Sequence, residues 1–182
     1  KGVRTSPNLA SRITSVVICG GVLGGMLEHQ ALREIDEQLN SLAQLVTVFY
    51  MPSNNDFKDP LWPVKPITKY LLPNSANRLT AVQTRAVGGG KAHPIGNMRR
   101  ECSGNAKGVY IKDSLDIMEA HLMFNHLAPS SPSSLLTAPA LKDSMVIDNL
   151  PNVYFAGGND TFLSRTLTIN KQSCKLLLIP PF

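Results

Sequence analysis

The sequence predicts an α/β fold with a locally parallel sheet, and three neighbouring stretches carry that prediction. Ser11–Gly20 (SRITSVVICG) is β-branched and apolar and runs into Gly-Gly, as a buried strand does. Between positions 30 and 44 the apolar residues Leu32, Ile35, Leu39 and Leu42 recur at helical spacing with charges on the other face, which predicts an amphipathic helix. Val46–Met51 (VTVFYM) reads as a second buried strand. Strand, helix and strand in that order imply a right-handed crossover between parallel strands.

The remaining elements follow in chain order. From Pro52 to Pro73 the prolines at 52, 60, 63, 66 and 73 exclude a helix or central strand, so an extended segment pinned over a surface is expected. Leu79–Arg85 reads as a further strand, and Gly108–Ile111 as a short one. Between them, positions 86–100 are basic and glycine-rich (AVGGGKAHPIGN and its flank), which predicts a long exposed loop, an insertion in the domain. Ser114 is the expected N-cap of a helix over Leu115–Leu127, with Asp116 favouring its first turn. That pattern stops at Ala128, the residue before Pro129. A Pro/Ser-rich connector then leads to the apolar run Met145–Ile147. Strands are expected at Val153–Ala156, closing on Gly157-Gly158, at Thr166–Thr168 and at Lys175–Ile179.

Composition limits what the chain can do. At 182 residues, with 43% hydrophobic and 17% charged residues, it has the makings of one sizeable core. Residues 1–10 read as an N-terminal extension. No apolar run approaches the length of a membrane span, and the first residues carry no signal-peptide pattern. Cys19, Cys102 and Cys174 are odd in number and widely spaced, which gives neither a disulfide framework nor a metal-binding pair and fits a reducing intracellular setting. Between Arg78 and Lys107 six basic residues face one acid, Glu101, so this stretch carries the whole net charge of +5. Arg99 and Arg100 are the candidates there for a phosphate contact. No aromatic residue interleaves with the charges to stack bases.

Candidate chemistry lies in the loops that follow strands. GGVLGG (20–25) lacks the G-x-G-x-x-G spacing, and no acid ends the next strand, so a dinucleotide site is not expected. Pro52-Ser53-Asn54-Asn55-Asp56 follows the second strand, and Gly157-Gly158-Asn159-Asp160 follows a later one. With Gly20-Gly21 they form three loops at strand ends that resemble those of the calcineurin-like metallophosphoesterases, where G-D, G-N-H-D and G-H-x-H hold two metal ions. By that resemblance Gly21 stands at the bridging carboxylate, Asn55 at the histidine that polarises the leaving group, and Gly158 and Asp160 at two further histidines. Asn54 and Asp56 persist, but an amide and one carboxylate are too few for a dinuclear centre.

The likeness narrows with HLAP (126–129), AP (138–139) and MVIDNLPNVYFAGG (145–158). These resemble the small (B) accessory subunits of replicative DNA polymerases, whose archaeal member reads RHLAP and VIDEVPDIFHTGHVH and keeps an active phosphoesterase. DFKDPLWPVKPITKYLLP (56–73) and ECSGNAKGV (101–109) are most similar to the delta-type subunits, with Ser103 where an active relative has histidine. The resemblance implies that residues 11–182 are the C-terminal part of an inactivated domain of the calcineurin-like metallophosphoesterase fold, an α/β fold with a β-sandwich core flanked by helices, with neither catalytic residue nor metal nor other cofactor. It implies a nuclear, non-catalytic accessory subunit in DNA replication. Such a protein contacts the C-terminal region of the polymerase catalytic subunit and a further accessory subunit, without a membrane. Trp62 and Tyr70, aromatics on the proline-rich segment, are the candidate partner anchors. His126 matches a histidine kept in active and inactive relatives alike, and is expected to be structural, closing the helix end. His29, His93 and His121 lack a ligand partner three or four residues away. Two other functions are compatible with these residues. One is a metal-dependent phosphodiesterase or nuclease using Asn54, Asp56 and Asp160, and the other is a nucleic-acid-binding module built on the basic loop.

Overall fold

The computed structural model describes residues 11–23, 29–52, 56, 61–65, 67–81, 94–103, 113–133 and 135–180. They divide into two compact units, one drawn from 1–57 and 66–83 and the other from 58–65 and 84–182.

The first unit holds the predicted crossover. Strand β1 (Ser15–Cys19) pairs in parallel with β2 (Thr47–Met51), Ser15 opposite Thr47 and Cys19 opposite Met51. Helix α1 (His29–Leu45) connects them. Beyond β2 the short β3 (Thr80–Ala81) also pairs in parallel, giving the order β1-β2-β3. The strand expected over Leu79–Arg85 is thus two residues within the described part, and the remainder of that stretch lies outside it. The core forms where the apolar stripe of α1 meets the sheet. Leu39, Val48, Tyr50, Leu72 and Leu79 are buried, with Ile35, Leu42 and Ile18 packed against them.

Asp36 is buried on the same stripe of α1. Its two oxygens accept from the backbone N–H groups of Asn74 (2.9 Å) and Ser75 (2.8 Å), which open a run of turns continued by Ala76 N–H to Leu72 O and Leu79 N–H to Ser75 O. Burial works against the charge, yet the hydrogen bonds from Ser75 and Asn74 outweigh it and hold this carboxyl below its ordinary range.

The second unit is a helix pair with a three-stranded sheet. Helix α2 (Pro94–Ser103) starts on a proline, whose fixed φ and missing N–H suit the first helical position. This corrects the expectation of a loop through position 100: from Pro94 onward the basic stretch is helical, and Arg99 and Arg100 are exposed on it. Buried Asn97 anchors the helix by donating to Ser130 Oγ (3.2 Å) and accepting from Arg100 (2.7 Å). Residues 1–10, 82–93 and 104–112, which include the rest of the basic stretch and the strand expected at Gly108–Ile111, lie outside the described residues.

Helix α3 (Ser114–Met123) is shorter than expected and is capped one residue earlier. Asp113, not Ser114, is the N-cap: its carboxylate accepts from Asp116 N–H (3.0 Å), and Asp116 accepts from Asp113 N–H (3.1 Å). A carboxylate beside a helix N-terminus gains from the dipole as well as the hydrogen bond, which favours Asp113 over its neighbouring hydroxyl. The helix stops because Asn125 turns left-handed (φ 51°). His126 N–H then donates to His121 O (3.0 Å) and Asn125 N–H to Leu122 O (3.2 Å), which is the Schellman closure. Leu115, Ile117, Met118, His121 and Leu122 are all buried.

Strands β4 (Val153–Gly157), β5 (Leu163–Ile169) and β6 (Gln172–Ile179) form a sheet in the order β4-β6-β5. β4 and β6 are parallel, while β5 and β6 form an antiparallel hairpin. Its loop is Asn170-Lys171, both at positive φ (50° and 67°), the geometry of a type I′ turn. Arg165 of β5 binds the start of α3 through Asp116 (2.8 Å), Glu119 (3.2 Å) and Asp113 (3.4 Å). No helix among the described residues is long and apolar enough to cross a membrane.

Candidate functional site

The sequence placed candidate chemistry on three loops. In the first unit the chain leaves β1 through Gly20 and Gly21, both at positive φ (68° and 76°). A Cβ on Gly21 would meet nothing within 4 Å, so the backbone angle and not crowding favours glycine there. The turn directs two N–H groups at one carboxylate. Gly21 N–H donates to Asp56 Oδ2 (2.9 Å) and Leu23 N–H to Asp56 Oδ1 (2.8 Å). Asp56 is 3% exposed. Asp56 therefore braces one loop against another, with each oxygen accepting an amide hydrogen. Burial, together with the Asp56 charge, raises the Tyr50 phenol above its ordinary range. Asn54 and Asn55 lie outside the described residues.

The third loop belongs to the second unit. Gly158 (φ 72°) and Asp160 are exposed at the end of β4, and between them Asn159 folds back. Its side chain donates to Ala156 O (3.2 Å) and Gly157 O (3.4 Å), and its backbone N–H to Ile179 O (3.2 Å). Asn159 is a bracing residue that the spacing argument passed over. Ser103 is the last residue of α2. Among the described residues no group of three or more His, Cys, Asp and Glu side chains is placed to hold a metal ion.

The two aromatic anchors part company. Tyr70 is 95% exposed, whereas Trp62 is 1% exposed and lies in the second unit's own interior. Trp62 N–H donates to Leu136 O (2.9 Å) and its carbonyl accepts from Ala138 N–H (3.0 Å), so this piece of the proline-rich segment runs extended beside 136–138. Trp62 as a partner contact is therefore corrected: its indole is already buried by its own unit.

His126 is structural in a different way from the one expected. Its backbone closes α3, but its ring clasps the connector, with Nδ1 accepting from Ala128 N–H (3.0 Å) and Nε2 bonded to Asp143 Oδ2 (2.9 Å). Asp143 also accepts from Met145 N–H (2.8 Å). Leu127 N–H to Met145 O and Ile147 N–H to Asn125 O complete the closure of the connector.

His121 is fully buried, with Nδ1 3.0 Å from the Tyr154 hydroxyl and Nε2 without a hydrogen-bond partner. Burial, aided by His126, lowers its pKa to about 4, so it is neutral at physiological pH. The three cysteines are unpaired.

The loops that follow β1 and β4 are thus braced within their own units, by Asp56 in the first and by Asn159 in the second. Residues 25–164 match the family of B-subunits of DNA polymerases alpha and epsilon, and the chain belongs to that family. It is 28% identical to the DNA polymerase delta small subunit of Arabidopsis thaliana over 85% of this chain and 36% of that protein. It is also 28% identical to the rice DNA polymerase delta small subunit, over 100% of this chain and 47% of that protein. The small subunit of Saccharomyces cerevisiae is 25% identical over 84% and 38% respectively. The chain thus spans less than half the length of these relatives.

Proposed function

We propose that this chain serves as a non-catalytic accessory subunit of a delta-type replicative DNA polymerase in the nucleus, contacting the catalytic subunit's C-terminal region and a further accessory subunit. The single observation that carries the non-catalytic reading is the environment of Asp56. Its two oxygens accept from Gly21 and Leu23 N–H groups in a buried loop. The one acid kept from the metal pattern is thereby given a structural role, and Gly21 offers no ligand side chain beside it. Membership of the polymerase B-subunit family and the delta small subunits among the relatives supply the polymerase context. The parallel β1-α1-β2 unit and the mixed β4-β6-β5 sheet are compatible with part of a calcineurin-like fold. Tyr70 is the remaining aromatic candidate for the partner contact, because so large a side chain left exposed has no role in its own unit.

Affinity purification of the tagged chain from its own cells tests this reading, with the delta catalytic subunit expected to copurify. Recovery of the alpha or epsilon catalytic subunit in its place, or of none, would overturn it. Hydrolysis of a nucleotide ester at saturating manganese would revive the enzyme reading. A DNA contact through α2 is a second reading favoured by the exposure of Arg99 and Arg100 on one helix. It requires an affinity that falls steeply with salt and drops when both become alanine.

A further inference from the structure

Residues 61–100 include no acid and seven lysines and arginines. Within that stretch, 67–81 belongs to the first unit, and there the positive charge stands beside an exposed aromatic ring. Leu71 N–H donates to Thr68 O (3.1 Å), closing a β-turn whose two central residues are Lys69 and Tyr70. The turn is fastened from beneath. Leu72 is fully buried, and Ile67 and Leu71 pack against the first unit's core. Asp36 holds the next turns through the Asn74 and Ser75 amides, and Arg78 N–H donates to Ser75 O (2.8 Å). Tyr70 is thus displayed, 95% exposed, on a backbone already fixed at both ends, which lowers the ordering cost of a contact.

The charges on this turn are unmatched within the unit. Lys69 and Arg78 are exposed, and neither forms an ion pair with a described residue. The acids that stand nearest in the fold are those of α1. Asp36 is buried, with an amide on each oxygen. Glu34 and Glu37 are exposed and line, with Gln38 and Ser41, an open hollow that includes no residue of the turn. The exposed Arg33 offsets part of their charge.

We propose that this turn docks an acidic segment of a partner protein. An apolar side chain of that segment lies on the Tyr70 ring, and its carboxylates face Lys69 and Arg78. Charge complementarity selects this occupant: a basic segment would be repelled, and an uncharged one would leave two cations unmatched at the rim. A nucleic-acid strand fits less well, since it stacks successive bases on successive aromatics. Tyr70 is the one exposed aromatic among the described residues of the first unit. The inference deepens the accessory-subunit reading by giving the partner contact a chemistry, and rests on that reading only for who the partner is.

The test uses the full tagged chain in its own cells, with the photo-crosslinker p-benzoylphenylalanine in place of Tyr70. The crosslinked peptide, read by mass spectrometry, should carry more Asp and Glu than Lys and Arg. Tyr70→Ala should lower recovery of that partner at least roughly tenfold, as loss of an interface anchor does. The paired reversal Lys69→Glu and Arg78→Glu should lower it as well, whereas Lys69→Arg with Arg78→Lys should keep it. Urea midpoints of the variants check that the fold is unchanged, as expected for exposed positions. No crosslink, a basic or uncharged crosslinked peptide, or recovery indifferent to Tyr70→Ala would each overturn the docking site. Binding of oligothymidylate that is lost in Tyr70→Ala would overturn it too, in favour of a nucleic-acid contact. Copurification of a polymerase subunit is scored separately. If the delta catalytic subunit is captured equally by every variant, only the docking site fails. An acidic, Tyr70-dependent partner from outside the polymerase defeats only the accessory-subunit reading.

Discussion

Asp56 shows how one buried carboxylate can tie two loops together. Two N–H donors face its two oxygens in a buried loop, and a carboxylate is the side chain that satisfies both at once. An asparagine side chain there would present one acceptor and turn an NH₂ toward the other amide. We therefore expect Asp56→Asn to lower the unfolding free energy by about 2 kcal/mol in urea titrations, the cost of a buried donor left unmade. An unchanged midpoint would mean that the loop is not braced this way. The same physics makes Asp56→Ala a poor probe of catalysis, since lost structure would imitate lost activity. His121 yields a second prediction at this scale. Its folded pKa, about 4, lies below the ordinary value of about 6.5, so between those pH values the unfolded chain binds the extra proton. This contribution to stability is present above about pH 6.5 and is lost as pH falls toward 4, by up to about 3 kcal/mol. Replacement by methionine should flatten that part of the profile, measured as urea midpoints at pH 6.5 and 5. Equal slopes in the two proteins would refute the role of His121.

At the scale of elements, the crossover was legible because each part has a strong period: β-branched runs for β1 and β2, and a stripe at helical spacing for α1. Asp36 sits on that stripe between Leu32 and Leu39, and a carboxylate at such a position signals a buried acceptor that could have been caught. Helix α2 was hidden by composition. Its glycine and charges favour a loop, and only the tertiary anchor from Asn97 to Ser130 and the proline at its start override that tendency. The hairpin was half visible. Its strands were expected, but its turn is Asn-Lys where the recognisable signal is Asn-Gly. Lys171 holds φ 67°, a strained angle for a side chain with a Cβ. Lys171→Gly should therefore stabilise the protein by roughly 0.5–1 kcal/mol in thermal or urea unfolding. A loss of stability would show that Lys171 makes a contact worth more than its strain. The strand-end loops were legible as positions, but the brace between two of them was not. Backbone N–H groups carry no signature in the sequence, so nothing there tells that Gly21 and Leu23 aim at Asp56.

At the scale of the molecule, the distribution of exposed apolar residues says how the chain behaves outside an assembly. Parallel sheets are ordinarily covered on both faces and along their edges. Here β1 is an edge strand among the described residues, pairing with β2 on one side, and Ile13 and Val17 are exposed at or beside it. An apolar edge with free backbone groups is a template for further strands. The chain spans less than half the length of its delta small subunit relatives, so a cover supplied by additional polypeptide is consistent with the accessory-subunit reading. Val17→Lys places a charge on that edge without removing a buried side chain. The variant should sediment with less concentration-dependent association than the parent, while its urea midpoint stays within about 0.5 kcal/mol of it, as for other exposed sites. If association persists unchanged, the sticky surface lies elsewhere, with the exposed Phe124, Leu141 and Phe162 of the second unit as the next candidates. If instead the midpoint falls, Val17 belongs to the first unit's packing and the edge is closed by the chain itself.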